Sequence, residues 1–512
     1  MSRPLVAVAV LVFAIVGLGP IVSMVARLDP SSFEGLFSER TLSLLGRTSA
    51  LGLGAAALAT LIGVPFGFLT ARTDVPGAPV WRALGILPLL VPPLVLAMSW
   101  AGMTSFRGGL ATTTLLGIAT FPLVALFTAR AAERVDARRE EAALLAGGVR
   151  AVVRVELPWI LPSAACAACF AFVFAVNDFA VPDYVSSIGP KYNVYADEVF
   201  ASWRSSQDTG HAVAAAIPLV ALTLLALLPA LELRRRQAAV TFDGDFRAPA
   251  TLRLGAWRWV ALVFVLAVLA IGVFAPFGRL VWESGGGARG FTVDNVQAAF
   301  GRALELGRVN LQSSLTYATG AALLCVPIAI VLGHASARLV RGSRLAAMLV
   351  ILPVAVPAIL FGIGNIALWN RPATGALYDS GWMVVVLLAG RFASFAILAF
   401  AAGCAAIDPR LEEAARLSGA GPARRLTRIV APALRPAVIG GATLVFVLSM
   451  RELDAAIFVP AANGTVLFRL YNAVHFGRDD FVAALALLVV FFVVLPGLVW
   501  TLVARRKLEV LP

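Results

Sequence analysis

Charge is scarce in this 512-residue chain: Asp, Glu, Lys and Arg make up 14% of it, against roughly 25% in an ordinary soluble protein. With 60% hydrophobic residues and a mean hydropathy of +0.88, a water-soluble fold is excluded. Lysine is nearly missing, with Lys191 and Lys507 alone beside 40 arginines. A Walker-type phosphate loop needs Gly-Lys followed by Ser or Thr; Lys191 follows Pro190 and Lys507 follows Arg506, so the motif is absent. The three histidines, His211, His334 and His475, are far apart in sequence, and no Ser-His-Asp or metal-ligand spacing surrounds them. They are read as structural, and no catalytic residue, cofactor or metal site is expected. Of four cysteines, Cys166-Ala-Ala-Cys169 has metal or redox spacing, but it lies in an apolar run and is read as small-residue helix packing.

Long apolar runs take up what charge leaves free. One helical span needs about 20 apolar residues, so twelve spans would use about 240, close to half the chain. Runs occur near 4–26, 45–70, 83–104, 110–129, 160–182 and 211–231, then near 258–278, 312–333, 346–367, 382–402, 434–459 and 481–503. The first is read as a retained span rather than a cleaved signal peptide. With the N-terminus cytoplasmic, inner connections collect 27 basic residues and outer ones 13, with Arg391 and Arg451 inside spans. That excess places both termini inside, and it accounts for the net charge of +13 without nucleic acid.

The chain repeats itself. Glu140-Glu-Ala-Ala-Leu-Leu-Ala-Gly147 recurs as Glu412-Glu-Ala-Ala-Arg-Leu-Ser-Gly419, an offset of 272. Leu157-Pro-Trp-Ile-Leu-Pro162 aligns with Ala431-Pro-Ala-Leu-Arg-Pro436 at 274, Leu87-Pro-Leu-Leu-Val-Pro92 with Leu352-Pro-Val-Ala-Val-Pro357 at 265, and Val64-Pro65 with Val326-Pro327 at 262. This is a tandem duplication, with a first six-span repeat over 1–235, a cytoplasmic linker over 236–257 and a second six-span repeat over 258–512. An even number of spans per repeat makes the copies parallel. The expected fold class is all-α, a polytopic membrane protein of about twelve transmembrane helices in two parallel six-helix repeats.

Glu-Ala-Ala-x-x-x-Gly in an inner loop, followed about a dozen positions on by a proline, resembles the EAA loop of bacterial ABC importer permeases. The doubled motif at matching topology is similar to a fused two-copy permease with the MetI-like, type I importer fold. The ferric-iron, thiamine, polyamine and phosphonate group is the best match, and ferric permeases above all. The resemblance implies that Glu140, Glu141, Ala142, Ala143 and Gly147, with Glu412, Glu413, Ala414, Ala415 and Gly419, belong to two coupling helices. These would dock on separate ATPase subunits, expected to be a homodimer, while a periplasmic substrate-binding protein docks outside. The residues suit that role. Glycine ends a helix where others resist, and carboxylates near a helix start suit its dipole and a partner's arginine. Gly147 to Pro158 is 11 residues and Gly419 to Pro432 is 13, so the first loop is expected to have the shorter or bent second helix.

Ionisable groups inside spans are functional candidates by default. Asn177-Asp178-Phe179 aligns with Arg451-Glu452-Leu453 in the fifth spans. Asp178 lies 16 residues beyond Pro162, about 24 Å of helix, hence in the outer third. Asn177, Asp178, Arg451 and Glu452 are candidate translocation-path residues. The competing structural reading pairs Arg451 or Arg391 with Glu452 or Asp454. Outer loops near 183–208, 281–308 and 460–478 carry Asp183, Tyr184, Tyr192, Tyr195, Arg204, Tyr471 and His475. Tyrosine can bind ferric iron, but it also belongs at membrane interfaces.

The expected function is a non-catalytic permease in a bacterial inner membrane, with ferric iron as cargo by resemblance. Thiamine, polyamine, phosphonate or sulfate would need similar architecture. An ion-coupled secondary carrier is the rival of another class, and its transport would survive loss of any ATPase.

Overall fold

The computed structural model describes residues 3–33, 38–206, 209–238, 247–338, 344–405, 407–474 and 479–504. Among the described residues, regular structure is helical apart from one isolated parallel bridge, Thr73 with Leu252. Among the described residues nine helices are long and apolar enough to cross a membrane, and three bent helix pairs bring the number up to twelve if each is one span. The first repeat contains α1 (Pro4–Val25), α2 (Glu39–Arg72), the pair α3 (Ala78–Leu90) and α4 (Pro93–Met103), α5 (Gly108–Glu133), α6 (Ala137–Asn177) and α7 (Gly210–Ala230). The second contains α8 (Trp257–Ser284), α9 (Val293–Arg338), the pair α10 (Met348–Ala355) and α11 (Ala358–Trp369), and α12 (Gly381–Ala405). There follow α13 (Pro409–Leu417), α14 (Pro422–Ala433), α15 (Arg435–Arg451) and α16 (Asp480–Leu498).

The third span is broken in both repeats, by 97° between α3 and α4 and by 102° between α10 and α11. The repeated Val-Pro explains it. Proline has no N–H to continue the helix and forces its predecessor out of the helical region. Val91 accordingly has φ −79° and ψ 137°, and Pro92 and Pro357 cap the helices that follow with ψ 131° and 143°. The fifth spans end earlier than their apolar runs, at Asn177 and Arg451.

Helices approach closely where side chains are small. α2 lies against α5 through Gly63 and Gly67, where an added Cβ would meet the backbone of Ala125. In the second repeat Gly333 of α9 meets the backbone of α12 at Ile397 and Ala401 in the same way.

The chain forms two compact units that do not follow the two halves of the sequence. One comprises residues 1–36, 199–216 and 284–512; the other comprises 37–198 and 217–283. Each therefore contains the first span of the other repeat. α1 packs on α9, α11 and α12: Ser23 Oγ donates to the Gly364 carbonyl at 3.0 Å, and a Cβ on Gly390 would strike the Val16 carbonyl. α8 packs on α2, and its Gly272 faces Phe121 of α5.

Candidate coupling loops and intramembrane charges

Both Glu-Glu-Ala-Ala segments form helices, and both are started by an aspartate. The Asp136 carboxylate accepts from the Arg138 N–H at 2.9 Å, and Asp408 accepts from the Arg410 N–H at 2.9 Å. A side-chain acceptor at this position satisfies an amide with no partner inside the helix. Asp136 and Asp408 share the 272 offset, so the repeated motif begins four residues before the first glutamate, a signal legible in the sequence.

The two glutamates of each motif point opposite ways. Glu140 is 3% exposed and is gripped by Arg72, the last residue of α2. Arg72 also holds Glu156 through Nη2 at 3.0 Å and donates through Nη1 to the Ala250 carbonyl at 2.7 Å. In the second repeat Arg338, the last residue of α9, donates through Nε to Glu412 Oε1 at 2.7 Å, and His334 Nε2 lies 2.7 Å from Oε2. Burial pushes the Glu412 carboxyl up, but the hydrogen bonds and charge of His334 and Arg338 outweigh it and hold it below the usual carboxylate range. The first glutamate is thus an anchor to the second span, while Glu141 and Glu413 are exposed.

The alanines divide likewise. Ala142 and Ala414 are exposed, Ala143 is buried and Ala415 half-buried. The outer face also carries Leu145, 91% exposed, and Leu417, 84% exposed. These occupy equivalent positions, again 272 apart.

The helix ends differ from expectation in one detail. Gly419 has φ +81°, the left-handed conformation that glycine adopts most easily after a helix. In the first loop Gly147 is extended, with φ −173°, and Gly148 takes the glycine-specific conformation, with φ +63° and ψ −157°. The second halves of the loops also differ. After Gly148 the chain runs as one helix from Arg150 to Asn177. In the second loop, α14 and α15 meet at 79°. The bend is in the second copy, at Leu434, with φ −101° and ψ 20°; its two extra residues fall before Pro432, in a stretch that includes a π-helical turn over Leu426–Val430. A π turn inserts a residue into a helix without ending it.

The inter-repeat linker is strapped along the first loop. The Leu252 N–H donates to the Arg72 carbonyl at 2.7 Å, the Asp74 N–H to the Leu252 carbonyl at 3.1 Å, and the Ala137 N–H to the Arg247 carbonyl at 2.9 Å. Arg247 reaches Glu141 at 3.2 Å. Residues 239–246 of the linker lie outside the described residues.

The fifth-span carboxylates share one local role. Asp178 follows α6 and accepts from the Val181 N–H at 2.9 Å. Glu452 follows α15 and accepts from the Ala455 N–H at 2.8 Å. Each closes the helix break behind it by capping the next turn. Glu452 Oε2 also lies 3.3 Å from Arg391 Nε. Arg391, 8% exposed, donates through Nη1 to the Val356 carbonyl at 3.3 Å, at the α10–α11 break. One guanidinium thereby ties that break to the end of α15. A small cavity beside Glu452 is lined by Ser314, Tyr317, Ser449 and Thr465. Asn177 is buried and donates to the Val173 carbonyl at 2.8 Å and to Thr223 at 3.2 Å. Arg451 ends α15, half-buried.

The outer tyrosines are mostly covered. Tyr195 is 1% exposed, and burial, then Glu198, pushes its phenol up to about 12. Tyr184 is buried, and Tyr192 donates to the Arg47 carbonyl at 3.3 Å. His475 lies outside the described residues. Cys166 is buried and donates to the Ala230 carbonyl at 3.4 Å, as packing between helices requires.

Up to twelve candidate spans among the described residues, with two capped Glu-Glu-Ala-Ala helices and paired helix-end carboxylates, define a multi-pass helical membrane protein. Residues 325–509 match the family model described as binding-protein-dependent transport system inner membrane component, and the chain belongs to that family, of the MetI-like kind. It is 22% identical to the ferric transport system permease protein FbpB of Actinobacillus pleuropneumoniae over 440 residues, 80% of this chain and 63% of the relative. The chain thus spans less than two thirds of that relative's length. It is 31% identical to the putrescine transport system permease protein PotI of Escherichia coli over 195 residues, 37% of this chain and 69% of the relative. To the molybdenum transport system permease protein ModB of Escherichia coli it is 27% identical over 205 residues, 35% of this chain and 88% of the relative.

Proposed function

We propose that this chain is a two-repeat permease of an ABC importer, energised by separate ATPase subunits and fed by a periplasmic binding protein. The observation that carries the reading is the pair of coupling helices. Each has an aspartate cap, a first glutamate tied inward to the end of the second span, and an exposed leucine at one position. An arginine–glutamate anchor makes each helix an extension of its span, so a push on the exposed face is passed to the membrane helices. An apolar core with a polar, charged rim is the ordinary anatomy of a protein interface.

In this reading both termini are cytoplasmic, the two loops receive a homodimer of ATPases, and cargo passes inward by alternating access. Asn177, Asp178, Arg451 and Glu452 line the outer part of the path. Their support is a shared position at a helix break in each repeat and the small cavity beside Glu452, lined by both polar and apolar side chains.

Ferric iron is the proposed cargo, supported by ferric relatives in Actinobacillus and Haemophilus that align with 80% and 81% of this chain. Polyamine is the alternative, supported by the higher identity to the putrescine relative over a shorter stretch. Proteoliposomes holding this chain, its ATPase and its binding protein test both. Uptake of radioactive ferric iron requiring ATP and the binding protein is expected. Putrescine uptake instead would reassign the cargo, and uptake without the ATPase would overturn the class.

A further inference from the structure

His334, Cys404 and Glu412 come from three separate elements, the last turns of α9 and α12 and the first turn of α13. One donor atom of each lies within 4.8 Å of the other two. We propose that this trio is a binding site for a borderline divalent transition metal of the Zn2+ class, placed to staple the second coupling helix to the second and fourth spans.

The donor set points to that class. A thiolate, an imidazole and a carboxylate form a mixed soft and borderline site that suits Zn2+ and disfavours Mg2+ and Ca2+, which take oxygen ligands. The donors are sequestered: Cys404 is fully buried, His334 is 7% exposed, and the Glu412 side chain is 13% exposed. His334 Nε2 faces Glu412, while its other ring nitrogen, Nδ1, is buried without a hydrogen-bond partner.

The carboxylate is already aimed. Arg338 holds Oε1, and Oε2 faces His334, so a metal can take Oε2 while the arginine keeps the other oxygen. Such outer contacts orient metal ligands and raise affinity. With bonds of about 2.0–2.3 Å to N, O and S, tetrahedral donors stand about 3.3–3.7 Å apart, within reach of small side-chain adjustments. Binding requires the Cys404 thiol to lose its proton to solvent; thiolate and carboxylate then offset the dication, and Arg338 leaves the cluster with one positive charge. Three protein ligands leave the fourth position for water.

The first repeat supplies a built-in comparison. Its arginine–glutamate anchor is present, but the residue four before Arg72 is Phe68, and the residue eight before Glu140 is Ala132. The second repeat has His334 and Cys404 at those places. The anchor therefore does not need the imidazole or the thiol, and Phe68 packs in an apolar cluster with Ala143, Val152 and Leu252 instead.

The test is Co2+ titration of the full-length chain in detergent, beside His334→Phe, Cys404→Ala and a Cys166/Cys169/Cys325→Ala control. One Co2+ per chain with thiolate charge-transfer absorption is expected in the wild type and the control. Affinity should fall at least about 100-fold in His334→Phe and Cys404→Ala, beyond the 10–100-fold that losing an outer contact costs. X-ray absorption of the wild type with one equivalent of Zn2+ needs no variant, and should show a single sulfur at about 2.3 Å among lighter ligands. No cobalt–thiolate band in the wild type, its persistence in Cys404→Ala, or a zinc shell without sulfur would each overturn the proposal. None of these readouts involves transport, so they are independent of the permease reading.

Discussion

Leu145 and Leu417 stand at one position in two copies of the same helix, 272 residues apart, and both side chains project from the protein surface. An exposed leucine contributes little to folding, so its repetition is best explained by a partner. Leu145→Asp and Leu417→Asp should leave folded yield unchanged and weaken ATPase binding by about 2 kcal/mol or more each, roughly 30-fold. Co-purification of the ATPase and ATP-driven uptake should fall together. Full coupling in the double variant would remove these leucines from the interface.

The anchors beneath them are unequal. Arg72 is 2% exposed between two buried carboxylates. Arg72→Met strands them and should cost about 3–5 kcal/mol, read as a lower Tm in detergent. Adding Glu140→Gln and Glu156→Gln to it should restore much of the loss. Arg338→Met should cost less, because that side chain is 21% exposed and His334 still bonds Glu412.

Asp178→Asn and Glu452→Gln keep an oxygen for their capping bonds, so folded yield should survive in single and double variants. Uptake should drop in the double variant if these groups line the path. Normal uptake there would leave them only the capping role and the Arg391 pairing.

Asp197 gives a pH dependence. Burial pushes its carboxyl up to about 7; the Val194 N–H opposes this, while Asp183, Glu198 and Asp178 add to it. Unfolded, it titrates near 4. Between about pH 4 and 7 the folded chain holds a proton that the unfolded chain has lost, so this group's contribution falls as pH rises through that window and levels off above it. Asp197→Asn should flatten the fall in Tm between pH 5 and pH 8. An unchanged slope would count against a raised Asp197.

The apolar spans and the two Glu-Glu-Ala-Ala helices were legible because each leaves a local signal, an apolar run or a motif. Other features leave none. His334, Cys404 and Glu412 are separated by 70 and 8 residues, and only folding brings them together. The conformation expected at Gly147 falls on Gly148, since two adjacent glycines satisfy the sequence rule equally. The shorter or bent second helix expected in the first loop is not found, since that loop runs on as one long helix and the bend lies in the second copy. The exchange of first spans was illegible because an apolar helix surface does not name its neighbour.

That exchange sets an order of events during synthesis. α1 leaves the ribosome well before the helices it packs against, α9, α11 and α12, which begin at residues 293, 358 and 381. Until then Gly17 and Gly19, which lie against Gly390 and Leu368 in the finished protein, have only lipid or transient neighbours. α8 meets the opposite situation, arriving after α2 and α5 have been made. The unit that α8 closes is therefore complete before the one that holds α1, and α1 is fixed only when the helices beyond residue 293 are in place.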